Sequence, residues 1–181
     1  MGLVIGSGLY RRRLIEVPSY LEVPTKAVVR LALGNALGEK TRDAEVLDLF
    51  AGSGAVGIEL LSRGASHCVF VDENPEAIAT IKGNLAKLGC DRGVVLHGEA
   101  LGALSVLASR KASFDIVFID PPYSFIELYR SSIDFVLSHA LLKPQGVLVV
   151  EHEKGIPLPT AAFSRAKSYN HGRSHLTILW R

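Results

Sequence analysis

The sequence has 181 residues, of which 48% are hydrophobic and 21% are charged. This length suits one globular domain, and the apolar content excludes intrinsic disorder because it supplies enough buried surface to offset chain entropy. The formal net charge of +2 is unevenly distributed, with +4 on residues 1–42, −7 on residues 43–153 and +5 on residues 154–181. Two basic ends around an acidic body indicate a polyanion partner, although solvated termini would give the same pattern.

The cysteine content and the hydropathy pattern bear on location. Cys68 and Cys90 are the two cysteines, and neither has a spacing typical of a disulfide framework or a metal site. We therefore expect no metal and a reducing, cytoplasmic location. No apolar run approaches the roughly 20 residues that span a bilayer, so no membrane association is expected.

The first predicted elements form a short β/α extension. A β segment is predicted around residues 4–17 and a helix from about residue 25 to residue 37, ended by Gly38. We treat residues 1–42 as a basic N-terminal extension, because about 40 residues bury little core alone. From residue 45 onward, β-rich runs alternate with helix-length segments, which is typical of a βαβ arrangement. Residues 43–181 are predicted to form one globular α/β domain.

The remaining elements follow in chain order. Strands are predicted at 45–49, 69–72, 94–97, 115–119 and 146–151, with helices in the intervals that include 56–63, 75–88 and 125–139. Two last strands, at about 163–169 and 174–180, are predicted to form a hairpin. The expected fold is a Rossmann-like, seven-stranded, mostly parallel sheet whose last strand is antiparallel.

A glycine-rich loop follows the strand at 45–49 and reads Asp48-Leu-Phe-Ala-Gly52-Ser-Gly54-Ala-Val-Gly57. Glycines let the backbone approach a ligand, and the helix behind them offers free N–H groups. Asp72 lies 20 residues past Gly52, at the end of the next strand, where an acid can bind ribose hydroxyls. These features fit an NAD site, and a tight turn without a ligand is the simpler alternative.

Asp48 distinguishes between the possible ligands of this loop. Its carboxylate would repel a pyrophosphate, whereas it would attract the α-ammonium of S-adenosylmethionine directly or through water. The methyl donor is therefore favoured as the cofactor. Glu99, just past the third strand, is placed to accept a hydrogen bond from the adenine amino group, although an exposed surface glutamate would look the same.

The turn Asp120-Pro121-Pro122-Tyr123 follows a very apolar strand. Ligands of an open parallel sheet bind outside the carboxyl ends of its strands, near the reversal of strand order. The prolines remove two backbone donors, which leaves the Asp120 side chain and nearby carbonyls as acceptors for the amino group of a base. Asp120 could then stabilise the charge developing on that nitrogen, and Tyr123 could stack on the base. A stiff surface turn is the alternative.

The two motifs together resemble class I methyltransferases that act on exocyclic amino groups of nucleic-acid bases. The wider sequence is similar to one family among them, the bacterial small-subunit ribosomal RNA guanine-N2 methyltransferases of RsmD type. The similarity covers nearly the whole chain and is most specific over residues 47–65; the other matching segments are 10–18, 24–25, 30–35, 70–72, 84–89 and 114–123. It is weaker over residues 22–34, where several polar positions of the family are apolar.

The resemblance implies a division of roles among the residues of the two motifs. The cofactor-binding set is Asp48, Ala51, Gly52, Gly54 and Asp72, with Glu99 on the adenine. The catalytic set that holds the guanine amino group is Asp120, Pro121, Pro122 and Tyr123. The resemblance also implies small-subunit (16S) rRNA as the partner, alone or within the ribosomal subunit, and the guanine conventionally numbered 966 as the target.

Basic residues of both ends are the candidates for contacts with RNA phosphates. Alternate residues of a strand share a face, so Arg11 and Arg13 can act together. The full candidate set is Arg11, Arg13, Lys26, Arg30, Lys167, His171 and Arg173. If the strand at 163–169 runs parallel to the sheet, the turn after it lies at the ligand-bearing edge. The alternatives are a DNA or other RNA amino-methyltransferase, an NAD-binding oxidoreductase and a non-catalytic RNA-binding module.

Overall fold

The computed structural model describes residues 2–21, 25–122, 125–172 and 174–181. The strands of these ranges are β1 (Gly2–Val4), β2 (Leu14–Glu16), β3 (Glu45–Leu49), β4 (His67–Asp72), β5 (Gly93–His97), β6 (Phe114–Ile119), β7 (Leu142–Glu153), β8 (Arg165–His171) and β9 (Ser174–Trp180). The helices are α1 (Ala27–Leu37), α2 (Ala55–Ser62), α3 (Pro75–Leu88), α4 (Ala100–Ser109) and α5 (Ile126–Ser138).

The main sheet has seven strands in the order β5-β4-β3-β6-β7-β9-β8. The neighbours from β5 to β7 pair in parallel, while β9 is antiparallel to both β7 and β8. This arrangement confirms the predicted mostly parallel sheet with an antiparallel last strand. The strand order reverses between β3 and β6, so a crevice for a ligand is expected at their carboxyl ends.

Both faces of the sheet are covered, which is why its central strands are apolar along their whole length. Val46, Phe118 and Val149 pack on the face covered by α1, α2 and α3. Leu47 and Ile119 pack on the opposite face, beneath α4 and α5. Because side chains alternate along a strand, Asp48 shares the face of Val46. By the same alternation, Asp120 continues the face of Phe118, and Glu151 that of Val149.

The N-terminal extension packs on the same face. β1 and β2 form an antiparallel pair separate from the main sheet. α1 packs on the main sheet and buries Val29 and Leu33 in the core between them. The N–H of Gly6 donates to Oε2 of Glu59 at 2.8 Å, which ties the extension to α2. The division at residues 42 and 43 therefore separates two segments of the chain that share one core.

The predicted β segment at 4–17 is divided into β1 and β2, and Arg11 and Arg13 lie in the loop between these strands, so the prediction that they share one strand face is wrong. The other differences from the predicted elements lie at their ends. β7 begins at Leu142 rather than at residue 146, because a register shift against Phe114–Ile116 accommodates the proline-containing start of the strand. α2 begins at Ala55, directly after Gly54, whose φ of 74° prevents an earlier start. Within the described ranges, none of the helices is both long and apolar enough to cross a membrane.

Candidate functional site

The candidate site lies where β3 and β6 end side by side. Asp48 pairs with Phe118 in the register of the two strands, and Asp120 follows Ile119, the last residue of β6. Both carboxylates therefore stand at the carboxyl edge of the sheet, at the reversal of strand order. This is the placement that the glycine loop and the Asp-Pro-Pro-Tyr turn predict.

The glycine loop is held open by its backbone conformation and by Asp72. Gly52 and Gly54 have φ values of 55° and 74°, in the left-handed region that favours glycine. The N–H of Gly52 donates to Oδ2 of Asp72 at 2.7 Å, and Oδ1 of Asp72 accepts the N–H of Asn74 at 2.9 Å. Buried Ala51 is bound to the Val71 carbonyl through its N–H. Asp72 therefore fixes the loop through both of its carboxylate oxygens.

Asp48 lies beneath the loop and is 1% exposed. Its Oδ2 accepts the N–H of Gly57 at 2.9 Å, in the first turn of α2. Burial raises the pKa of Asp48 to about 7, against the opposing effect of the Gly57 hydrogen bond, and Asp72 raises it further. A bound cation would favour the ionised form, so the site is suited to a positively charged group.

Glu99 lies immediately before α4, at the carboxyl side of β5. Its side chain is exposed and makes no capping hydrogen bond to the helix. The carboxylate is therefore accessible from the same edge of the sheet as Asp48 and Asp72. Its role toward an adenine stays a prediction.

The Asp-Pro-Pro-Tyr turn differs in one respect from the sequence expectation. The carbonyl of buried Pro121 accepts the hydroxyl of Tyr129 at 3.1 Å, and the carbonyl of exposed Pro122 accepts the N–H of Phe125 at 3.0 Å. Both carbonyls thus already have a partner, and the Asp120 carboxyl is the stronger remaining acceptor. Tyr123 lies outside the described residues.

Asp120 is surrounded by other acidic groups. Burial raises its pKa well above the ordinary value, and Glu151 and Asp48 raise it further, while a hydrogen bond from Thr25 opposes them. The hydroxyl of Thr25 lies 3.5 Å from Oδ2 of Asp120. Thr25 and Glu151 are residues of the site that the sequence analysis missed.

Glu151 carried a local signal that could have identified it. It follows the run Val147–Val150, which is fully buried, and it is itself 4% exposed. A carboxylate directly after such a run, on the strand beside β6, indicates a functional position. Thr25 carried no such signal, because its contact depends on how the extension folds back over the sheet.

The predicted RNA-contacting residues fall into different environments. Arg11, Arg13, Lys26 and Lys167 are exposed, and His171 ends β8, which runs parallel to β7. The turn after β8 therefore lies at the same edge as Asp120. Arg173, in that turn, lies outside the described residues.

Arg30 requires a correction. Its side chain is 3% exposed, and its guanidinium donates to the main-chain carbonyls of Thr25 and Val4. The prediction that it contacts RNA is therefore replaced by a structural role, since a guanidinium enclosed in this way is not available to a phosphate. Its bond to the carbonyl of Thr25 helps to position that residue next to Asp120.

A groove of about 440 Å³ lies between α1 and the strands β8 and β9, on the face of the sheet that α1 covers. It is lined by Ala32, Asn35, Ala36, Arg165, Lys167, Tyr169 and Trp180. The guanidinium of Arg165 lies 4.6 Å from the Trp180 ring, and Nζ of Lys167 lies 4.7 Å from the Tyr169 ring. The groove is thus basic and partly aromatic. Among the described residues, no group of three or more His, Cys, Asp or Glu side chains could hold a metal ion.

Comparisons with known proteins agree with this architecture. Residues 3–180 match the family described as "Conserved hypothetical protein 95". The chain is 36% identical over 157 residues to YlbH of Bacillus subtilis (strain 168). The matched region covers 86% of this chain and 85% of YlbH. It is 34% identical over 158 residues to "Ribosomal RNA small subunit methyltransferase D" of Escherichia coli (strain K12), covering 87% and 77% of the two chains.

A solved structure gives the corresponding result for the fold. The structure of yhhF from Escherichia coli superposes with a TM-score of 0.88 at 30% sequence identity. The superposition covers 100% of this chain and 98% of that one. The similarity therefore includes the N-terminal extension as well as the sheet.

Proposed function

The chain belongs to the conserved hypothetical protein 95 family, and from that premise we propose that it transfers a methyl group from S-adenosylmethionine to the exocyclic N2 of a guanine in small-subunit ribosomal RNA. The observation that carries the proposal is that Asp48, under a glycine loop on β3, and Asp120, directly after the neighbouring strand β6, stand at the same edge of the sheet. The relative named "Ribosomal RNA small subunit methyltransferase D" supports the substrate class. The RsmD-type resemblance supports the guanine numbered 966 as the target and the cytoplasm as the location.

The residues of the loop fit S-adenosylmethionine. Gly52 and Gly54 leave the backbone open to a ligand, and Asp72 stands at the strand end where ribose hydroxyls are bound. Asp48 is buried beneath them and is suited to the α-ammonium group, whereas it disfavours the pyrophosphate of a dinucleotide. Glu99 is accessible for the adenine amino group.

Asp120 acts on the target amino group. The lone pair of this nitrogen is delocalised into the base, so the nitrogen becomes nucleophilic only when its N–H bonds are held by acceptors that turn the lone pair out of the ring. When bound, S-adenosylmethionine supplies a methyl group on a positively charged sulfur, which keeps the electron pair of the broken S–C bond while N2 forms the new N–C bond and loses one proton. The Asp120 carboxylate stabilises the positive charge on N2 and accepts that proton, and its raised pKa suits it to this second task.

The basic residues of both ends guide the RNA to this edge. Lys26 and His171 lie near Glu151, beside the Asp120 turn, and Lys167 lines the groove between α1 and β8. We assign Arg173, in the turn after β8, to a contact near the target base, and Arg11 and Arg13 to phosphates farther from it. Contacts of this kind position the RNA and make its binding depend on salt.

Mass mapping of ribosomal RNA tests the proposed reaction. Cells that lack the protein should have one guanine-N2 methyl group fewer in small-subunit RNA, at the guanine numbered 966. The intact gene should restore the methyl group, and a gene with Asp120→Ala should not. An unchanged methylation pattern in the small-subunit RNA of the deletion strain contradicts the proposal.

Calorimetry distinguishes the proposal from its alternatives. We expect S-adenosylmethionine to bind and NAD to give no heat of binding. Binding of NAD without binding of S-adenosylmethionine would indicate an oxidoreductase. Binding of RNA with neither small molecule would indicate a non-catalytic module, and methylation of adenine N6 or cytosine N4 would indicate a different amino-methyltransferase.

A further inference from the structure

Glu151 lies directly beside the Asp120 turn. In the register of β6 and β7, Ile119 pairs with Val150, so Asp120 and Glu151 are the next residues on two neighbouring parallel strands. Neighbouring strands lie about 4.8 Å apart. One base edge placed against Asp120 is therefore within reach of Glu151.

The two oxygens of Glu151 differ in their hydrogen bonding. Oε1 accepts the Ser174 hydroxyl at 2.5 Å. Oε2 is also buried, but it has no hydrogen-bond partner in the part of the chain that the structure describes. A buried acceptor without a donor costs free energy, so Oε2 is suited to an N–H that arrives with a ligand. The bond to Ser174 joins β7 to β9 and satisfies Oε1, but it leaves Oε2 without a donor within the described ranges.

His171 presents a second buried atom of this kind. It pairs with Ser174 in the register of β8 and β9, and its Nε2 has no hydrogen-bond partner among the described residues. Burial raises the pKa of Glu151, while Ser174, His171 and Lys26 lower it. His171 is thus close enough to Glu151 to affect its charge, and β9, which carries Ser174, lies between the strands of the two residues.

The hydrogen-bonding groups of the sheet edge are complementary to guanine. Along the Watson–Crick edge, guanine presents the N2 amino group as a donor, N1–H as a donor and O6 as an acceptor. The sheet presents Asp120 directly after β6 and Glu151 on β7 as acceptors. Beyond β9 lies His171 at the end of β8, whose imidazole can donate across β9. In adenine and cytosine, the ring nitrogen next to the amino group carries a lone pair instead of a hydrogen. That lone pair would face the Glu151 carboxylate and be repelled by it.

We propose that Glu151 and His171 select guanine as the target base, with Oε2 of Glu151 accepting N1–H and Nε2 of His171 donating to O6. This inference rests on the proposed function and adds the residues that determine its base specificity. Sites that hydrogen-bond a polar group of a substrate discriminate strongly against analogues that lack it, because the groups of the site are then left unpaired.

Glu151→Gln is the most direct test. The glutamine oxygen can still accept the Ser174 hydroxyl, which places an amide NH₂ where Oε2 now lies, facing the N1–H of guanine. Glu153→Gln is the matched control, because Glu153 ends the same strand and is exposed. The substrates are small-subunit RNA with guanine or 2-aminopurine at the target position, alone and assembled into subunits. 2-Aminopurine keeps the 2-amino group but lacks both the N1 hydrogen and O6.

The wild-type protein should methylate guanine at least about a hundredfold faster than 2-aminopurine in kcat/KM. Glu151→Gln should lower kcat/KM on guanine at least about a hundredfold and reduce the preference for guanine over 2-aminopurine at least about tenfold. Glu153→Gln should change neither quantity. Thermal unfolding and S-adenosylmethionine titration check that each variant is folded.

Two results would overturn the inference. One is that the wild-type protein methylates 2-aminopurine as fast as guanine. This test does not depend on the folding of any variant. The other is a folded Glu151→Gln protein with an unchanged preference. In both cases guanine-N2 methylation by the wild type leaves the proposed function standing. Absence of guanine methylation by the wild type, with both RNA and assembled subunits, overturns the proposed function and this inference with it.

Discussion

The hydroxyl of Thr25 donates a long hydrogen bond of 3.5 Å to Oδ2 of Asp120, although 95 residues separate them in the chain. The N-terminal extension therefore contributes to the candidate site directly. Arg30 supports the contact through its bond to the Thr25 carbonyl. This relationship places the basic extension on the same face as the Asp-Pro-Pro-Tyr turn.

Thr25→Val should lower kcat for methyl transfer by about three- to tenfold, since a typical hydrogen bond contributes about 1 kcal/mol. The Thr25 hydroxyl lowers the pKa of Asp120, so its removal should raise that pKa further. Because the proposed transfer uses ionised Asp120, the rise of kcat with pH should move to higher pH. Thr25→Ser should restore the wild-type profile, and a Thr25→Val profile identical to wild type would contradict the contact.

Asp120→Ala should lower kcat at least roughly a hundredfold, the scale expected when a contact made in the transition state is lost. The dissociation constant for S-adenosylmethionine should stay within about threefold of wild type, because the loop residues that hold the cofactor are unchanged. Asp134→Ala, on an exposed position of α5, is the control. Single-turnover methylation and calorimetry measure the two quantities; unchanged turnover would reject the role of Asp120.

The central strands β3, β4, β6 and β7 were predictable because they carry buried apolar runs and are separated by glycine, asparagine and proline signals. β3 and α3 have the predicted bounds, and Asp48 and Asp72 stand at the strand ends where the loop motif places them. These features depend on residues close together in the chain. Local patterns therefore located the half of the candidate site that the glycine loop forms.

Contacts between distant segments were not predictable. Arg30 is a basic residue in a basic segment, and its burial follows from the packing of α1 against β1 rather than from its neighbours in sequence. The partners of the Pro121 and Pro122 carbonyls are likewise known only once α5 is in place. Glu151 is an intermediate case. A carboxylate after a buried apolar run is a local signal, but its position next to Asp120 is known only from the pairing of β6 with β7.

Asp48→Asn should change the pH dependence of stability. The pKa of Asp48 is about 7 in the folded protein against 3.8 ordinarily, so the folded state binds more protons between these values. The free energy of unfolding should therefore fall as pH rises from about 4 to about 7, by up to about 1.4 kcal/mol per pH unit from this group. The variant should lose that contribution. Urea unfolding without ligand measures it, with Asp91→Asn as the exposed control; parallel wild-type and Asp48→Asn profiles would contradict it.

Gly8→Ala should destabilise the fold by about 2 kcal/mol or more, as expected for a strained left-handed residue that also meets a steric clash. Gly8 has a φ of 77°, and a Cβ there would lie 1.8 Å from the carbonyl oxygen of Ser62. Gly102→Ala in α4 is the control, because a Cβ there meets nothing within 4 Å. It should stabilise the helix by about 0.5–1 kcal/mol. Equal unfolding midpoints for the two variants would show that the extension does not depend on this close approach.

Neutralising the basic residues of both ends should weaken RNA binding and reduce its salt dependence. Arg11→Gln and Lys167→Gln should each reduce the slope of log K against log salt concentration by about 1, the change expected when one phosphate contact is lost. Arg110→Gln is the control, since Arg110 follows α4, which packs on the opposite face of the sheet from the extension and the groove. Binding is measured by filter retention of small-subunit RNA at several salt concentrations. Equal slopes for all four proteins would mean that the charges at the ends are merely solvated.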